Sequence, residues 1–270
     1  MLSGESRHTG SRRCIAWAAT ILLAAGVSTF AQDDPGESPA TGEITVDIGN
    51  AYVWRGQRLS RGAVAQFVLA GEFRGFAASV WSNFDPSEYP RGSGSRRTFT
   101  ETDLSLSYGR PVGRGTLTGG FVYYSLRGGR DTSELFVGYE LDLPLRPSAT
   151  LYVDADEGKG AFLILGADES LTFTRGVSLD LQVEVGFNLR NRVMGEDAEG
   201  RPFSAPYHAG LSGLATIPIW RGLALTAGLG FSVPLSGRAS EAIASASYSE
   251  NTRSAAFGSL GLTASFAPVP

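Results

Sequence analysis

The chain has 270 residues, 42% hydrophobic and 19% charged, with 35 Gly, 13 Pro and a formal net charge of −4. The charged share lies below the roughly one quarter usual for soluble globular proteins, and the acidic balance argues against nucleic acid as a partner. One cysteine, Cys14, excludes an internal disulfide scaffold.

The first predicted element is an export signal. Arg12 and Arg13 precede an apolar run at 15–27, and Thr29 and Ala31 occupy the small-residue positions before Gln32. Residues 1–31 are therefore expected to be a cleaved secretory signal peptide. The run is short for a membrane-spanning helix, and Cys14 precedes it, whereas a lipoprotein cysteine would follow it. Cleavage would remove three of the 23 basic residues and one of the 27 acidic ones, leaving a net charge of −6. Residues 32–42, QDDPGESPATG, are polar, acidic and rich in turn formers, and are expected to form a disordered leader.

From Glu43 onward the sequence has a period of two. In VSLDLQVEVGFNL, 177–189, the apolar residues Val177, Leu179, Leu181, Val183, Val185, Phe187 and Leu189 alternate with polar or small ones. That is the pattern of a half-buried strand and not of a helix. Twelve such segments follow one another: 44–54, 63–73, 76–83, 99–108, 116–126, 133–143, 149–156, 161–173, 177–189, 207–216, 223–233 and 255–266. No 3.6-residue periodicity is evident after the signal. The weaker stretch 243–248, IASASY, is assigned to the last long loop, because a thirteenth strand would put the chain ends on opposite sides.

Connector lengths alternate. Arg74-Gly75 and TRG (174–176) are short, whereas 84–98, 190–206 and 234–254 are long and polar. Short turns at one end and long loops at the other characterise outer-membrane barrels, and a tilted strand crosses a bilayer in about 9–11 residues. The predicted fold is all-β: a closed antiparallel up-and-down transmembrane β-barrel of about 12 strands over 43–270, with the short turns on the periplasmic side. A soluble periplasmic β-barrel or sandwich binding an apolar ligand would show the same alternation with its apolar face inward. The barrel is preferred because most apolar faces are long enough to span, and because aromatics collect near strand ends. Tyr52, Trp54, Trp81, Tyr108, Phe187 and Trp220 are the expected interfacial girdle.

The stretch NAYVWRGQRLSRGAVAQFVLAGEFRGFAASVWSNFD, 50–85, resembles the start of the TorF-type family of outer-membrane porins. The first-strand signature, aromatic-x-[FW]-R-G, is carried by Tyr52, Trp54, Arg55 and Gly56. The third-strand signature is carried by Gly75, Phe76, Trp81 and Ser82. GGFVYYSL (119–126) and SELFVGYELD (133–142) are similar to the family's fifth and sixth strands, with Glu134 in the matching place. The resemblance runs over about 44–266 and implies a membrane barrel and a pore, without naming a solute. One departure is that Ala-Pro-Val-Pro follows Phe266, the aromatic expected to be read by the barrel-assembly machinery.

With this parity the lumen would be lined by Asp47, Glu101, Asp103, Glu134, Glu140, Asp142, Asp154, Asp180 and Glu184. Arg55, Arg58, Arg61, Arg190 and Arg192 would mark the outer rim. Acid rings concentrate cations, so the expected function is passive diffusion of small hydrophilic solutes through a cation-leaning porin. The alternative is a structural or anchoring barrel whose lumen is blocked by rim arginines pairing with these acids. Outer-membrane lipids and lipopolysaccharide are the expected surroundings. On the first strand, Arg55 is placed at the pore entrance, with Tyr52 and Trp54 on the lipid side.

Catalytic patterns are weak. His208 is the mature chain's one histidine and is read as a solvated side chain, with Ser212 too far along the strand to bond it directly. There is no Gly-x-Ser-x-Gly elbow and no Gly-x-x-x-x-Gly-Lys loop. Asp154, Asp156 and Glu157 lack calcium-loop spacing. No enzyme activity, metal or cofactor is expected.

Overall fold

A computed structural model describes residues 40–60, 62–88, 96–197, 199–246 and 253–266. The predicted signal peptide, most of the leader, Arg61 and the tail after Phe266 lie outside them. Twelve long strands form one closed antiparallel ring. In chain order the described elements begin with β1 (Thr41–Gly49), the two-residue strands β2 (Val53–Trp54) and β3 (Gln57–Arg58), β4 (Val64–Phe73) and β5 (Phe76–Glu88). Then come β6 (Arg96–Val112), β7 (Gly115–Leu126), β8 (Thr132–Leu141), β9 (Ser148–Asp154) and β10 (Gly160–Thr172). The remainder are β11 (Ser178–Leu189), β12 (Ser204–Trp220), β13 (Leu223–Pro234), helix α1 (Gly237–Ala246) and β14 (Ala255–Phe266). Two 3-10 turns, Thr174–Gly176 and Arg192–Met194, lie in connectors.

The ring is closed by its ends: β1 pairs with β4 on one side and with β14 on the other, Gly42 lying opposite Phe266. All remaining neighbours are consecutive long strands. The turns β4–β5, β6–β7 and β12–β13 have two residues each, and they share an end of the barrel with Thr41 and Phe266. The β8–β9 and β10–β11 connectors, six and five residues long, lie at that end too, and the β11–β12 and β13–β14 connectors, the longer ones, lie at the opposite end.

Period two now has a direction. Ile48, Leu135, Leu229 and Leu260 are 64–74% exposed on the outer face, with Ile48 at 65%. Their strand neighbours Asp47, Glu134 and Ser259 are buried inside. The outer face is apolar and the interior largely polar, the reverse of a soluble sandwich.

Three details differ from the sequence reading. β1 begins at Thr41, inside the predicted leader, and ends at Gly49, five residues early. Part of the presumed last loop is a helix, α1, whose Ala239, Ala242 and Ile243 are buried. This short helix packs against β3, β12 and β13 rather than crossing the wall. Residues 247–248 of the IASASY stretch lie outside the described residues, and 243–246 are helical.

Rings lie across glycines on the inner wall. Gly120 faces Phe136 in register, and Gly230 faces Phe257. A Cβ on Gly120 would meet the Phe136 ring at 2.4 Å and the Leu106 carbonyl oxygen at 2.6 Å. Glycine here makes room for a ring and removes its own side chain from the lumen. Gly120→Val is expected to weaken the barrel by about 1–3 kcal/mol, read as an earlier midpoint in a urea titration of the compact gel form. Gly119→Val is the tolerated control, since the nearest atom to its Cβ is 3.8 Å away.

Candidate functional site

The candidate site is the lumen toward the long-loop end, and it is occupied by the chain itself. After Gly49 the backbone turns inward, held by Asn50: its N–H donates to the Gly258 oxygen at 3.0 Å, and its side-chain oxygen accepts from the Gly258 N–H at 2.9 Å. β2 and β3 then pair as a tight inner hairpin, Val53 with Arg58 and Trp54 with Gln57. Its two corner residues both have positive φ, Arg55 at 46° and Gly56 at 83°. Such a two-residue corner matches the twist of paired strands, and glycine favours the second position.

The hairpin is bound on several sides. Tyr52 packs on Trp81 with ring centroids 5.1 Å apart, and its hydroxyl donates to Glu101 at 2.9 Å. Ala51 and Val53 join Ala255 and Phe257 of β14 in one apolar cluster. Gln57 donates to the Tyr207 hydroxyl at 2.8 Å, and that hydroxyl donates to the Met194 carbonyl oxygen at 2.7 Å. Met194, Phe203, Tyr207 and Ile243 form a second lid of apolar packing from the 190–203 connector, β12 and α1.

At the corner, Arg55 makes a forked pair with Glu134 of β8, 2.8 and 2.7 Å. Tyr124 of β7 donates to the same carboxylate at 2.8 Å. The guanidinium carbon lies 4.6, 4.7 and 4.5 Å from the ring centroids of Trp54, Tyr152 and Phe162. Arg55 is 4% and Glu134 2% exposed. Two parallel N–H···O bonds plus ring faces suit guanidinium better than ammonium.

The predicted lining residues divide by parity. Asp47, Glu101, Asp103, Glu134, Glu140, Asp154, Asp180 and Glu184 lie on the inner face, most of them buried. Asp142 does not join them: β8 ends at Leu141, and Asp142 is exposed in the short-turn connector. Asp47 accepts from Thr226 at 3.3 Å, Asp154 from Thr132 at 2.9 Å, and Asp180 from Ser170. Hydroxyl donors hold the Asp47 and Asp154 oxygens without neutralising them, whereas Asp180 also feels the charge of Arg146. Nearer the short-turn end, Arg146 pairs with Asp168 and lies 3.7 Å from Glu140.

The rim arginines also divide. Arg190 and Arg192 are exposed, Arg192 lying 3.9 Å from Glu196. In the same connector, backbone N–H donation from Arg201 holds the Asp197 carboxyl below its usual range. Arg58 is half-buried and donates to the Ser60 carbonyl oxygen at 3.2 Å. Arg55 is not a rim residue, because the corner carries it into the lumen.

Of the expected girdle, Tyr108 and Trp220 are exposed on the outer face near the short turns, and Phe187 is half-buried with outward parity. Tyr52, Trp54 and Trp81 face inward instead. Trp81 is 1% exposed because Phe76 and Val80 set the outward parity of β5, which turns position 81 inside. Tyr52 and Trp54 follow the inward turn.

His208, expected to be solvated, is 1% exposed and lies 2.7 Å from the Glu184 Oε1, its ring across Gly186. The pair is missed by reading single strands. Pairing β11 with β12 sets Gly186 opposite His208, and Glu184 is two residues from that rung.

The match to the NanC porin has a TM-score of 0.51 and 7% identity, over 84% of this chain and all of that one. An outer-membrane channel from Pseudomonas putida F1 matches at 0.49 and 13%, over 87% of this chain and all of that one. The translocator domain of the autotransporter NalP from Neisseria meningitidis matches at 0.47 and 12%, over 86% and 90%. The NanC match shows a shared barrel fold. No family model and no curated protein matches the chain.

Removing one member of a buried ion pair strands the other, at a cost of about 3–5 kcal/mol. Arg55→Ala is expected to lose stability on that scale in urea titration. Combining it with Glu134→Leu should recover much of the loss. Additive single losses would show that the two do not act as a pair.

Proposed function

We propose that this chain is an exported bacterial outer-membrane barrel that passes small hydrophilic solutes by diffusion, through a cation-leaning lumen narrowed by its own inner hairpin. The observation that carries the reading is the inversion of the wall. Leu229 and Leu260 stand exposed outside at 74% and 69%, while Asp47 and Glu134 are buried inside. A closed ring satisfies the strand edges in lipid, where water cannot, and an apolar outer face has its natural solvent there. This inversion disfavours the soluble apolar-ligand binder.

The cation preference rests on inward carboxylates that accept from hydroxyl donors, as at Asp47 and Asp154. The motifs shared with the TorF-type porins agree with this reading. Exposed Arg190 and Arg192 are suited to lipopolysaccharide phosphates. The last strand, ending on Phe266, is the part the barrel-assembly machinery would read.

The Arg55–Glu134 lock supports a second reading, an anchoring barrel with a blocked lumen. Planar-bilayer recording separates the two. Small cation-selective steps are expected from the folded protein, and a larger conductance from Arg55→Ala, which removes the hairpin's central anchor. Anion selectivity would overturn the cation preference. Silence from both folded proteins would leave the anchoring barrel.

A further inference from the structure

The lock has the form of a receptor already holding its ligand. Without the hairpin, four of its parts remain on four consecutive wall strands: Tyr124 on β7, Glu134 on β8, Tyr152 on β9 and Phe162 on β10. Phe162 and Tyr152 face each other across one rung, as do Glu134 and Asp154 on the next pair of strands. The wall itself therefore sets the spacing, and the hairpin contributes Trp54 and the occupant.

We propose that Tyr124, Glu134, Tyr152 and Phe162 form a guanidinium-binding site in the lumen, for which Arg55 is the built-in competitor and alkylguanidinium compounds are the free ligands. The carboxylate accepts two parallel N–H bonds, 2.8 and 2.7 Å from Arg55. The Tyr124 hydroxyl holds that carboxylate by its own 2.8 Å bond. Rings cover the charge, with Tyr152 and Phe162 4.7 and 4.5 Å from the guanidinium carbon. A spherical ammonium could use the charge and the rings but not the fork.

The proposal refines the channel reading by naming a solute class, and it relies on that reading only for the ligand's route to the site. Binding is measured without current, so a silent channel and an absent site give different results. The test uses refolded full-length barrel carrying Arg55→Ala, with methylguanidinium as probe, methylammonium as the equally charged control, and Arg55→Ala/Glu134→Gln as the site-less control. At the variant's denaturation midpoint, the folded-to-unfolded ratio should rise about ten-fold when methylguanidinium reaches ten times its dissociation constant. The rise should be several-fold smaller with methylammonium and absent in the double variant. No rise, an equal rise with methylammonium, or the same rise in the double variant would overturn the proposal. If Arg55→Ala does not refold alone, refolding yield becomes the readout. Rescue by millimolar methylguanidinium but not methylammonium supports the site, and lack of rescue overturns it.

Discussion

Gly42 lies beside Phe266 because β1 bonds to β14 as well as to β4. Everything else depends on that seam. An open twelve-strand sheet would leave two rows of unpaired N–H and C=O groups, an invitation to aggregate in water and a heavy cost in lipid. Once the seam closes, the strand alternation has only two destinations, a wall and a lumen. Leucine, valine and phenylalanine can then face outward in quantity, and carboxylates can be gathered within.

A wide polar lumen is nevertheless not what the long-loop half of this barrel contains. The inner wall carries Val64, Val68, Trp81, Tyr152, Phe162 and Phe257, all buried. Those apolar inward residues make sense only with something to cover them, and the hairpin covers them. Charge and packing cooperate at its tip. Arg55 could not be buried without Glu134, and Glu134 could not be buried without Arg55 and Tyr124. The rings around the guanidinium exclude water from the pair, which strengthens the attraction while raising the cost of breaking it.

Most of the wall was legible in the sequence, because period two is a property of single strands. The predicted segments 116–126, 223–233 and 255–266 lie within a residue or so of β7, β13 and β14. Tyr52 and Trp54 were misplaced because they keep the parity of Ile48, and parity cannot show where a strand leaves the wall. A hint was nevertheless present. Arg55-Gly56 repeats Arg74-Gly75, and the two corners share a geometry, φ of 46° and 83° in one and 50° and 83° in the other. The Arg-Gly pair that marks an ordinary hairpin between β4 and β5 also marks the hidden one. By contrast, Glu134 as the partner of Arg55 was not legible, since 79 residues separate them and only barrel closure brings them together.

The same distances bear on the order of assembly. The hairpin follows directly after β1, yet its partners come from the whole chain: Glu101, Glu134, Tyr207 and finally Ala255 and Phe257. Contacts so remote in sequence carry their loop-closure entropy until late. The segment is tethered at both ends to the neighbouring strands β1 and β4 and enters from the long-loop mouth, so no part of it is threaded through the wall. Its bed becomes complete only when the last strand docks. Seating the hairpin is therefore a report on completion: a ring with a missing or slipped strand offers it an incomplete bed, and the molecule checks its own closure from the inside.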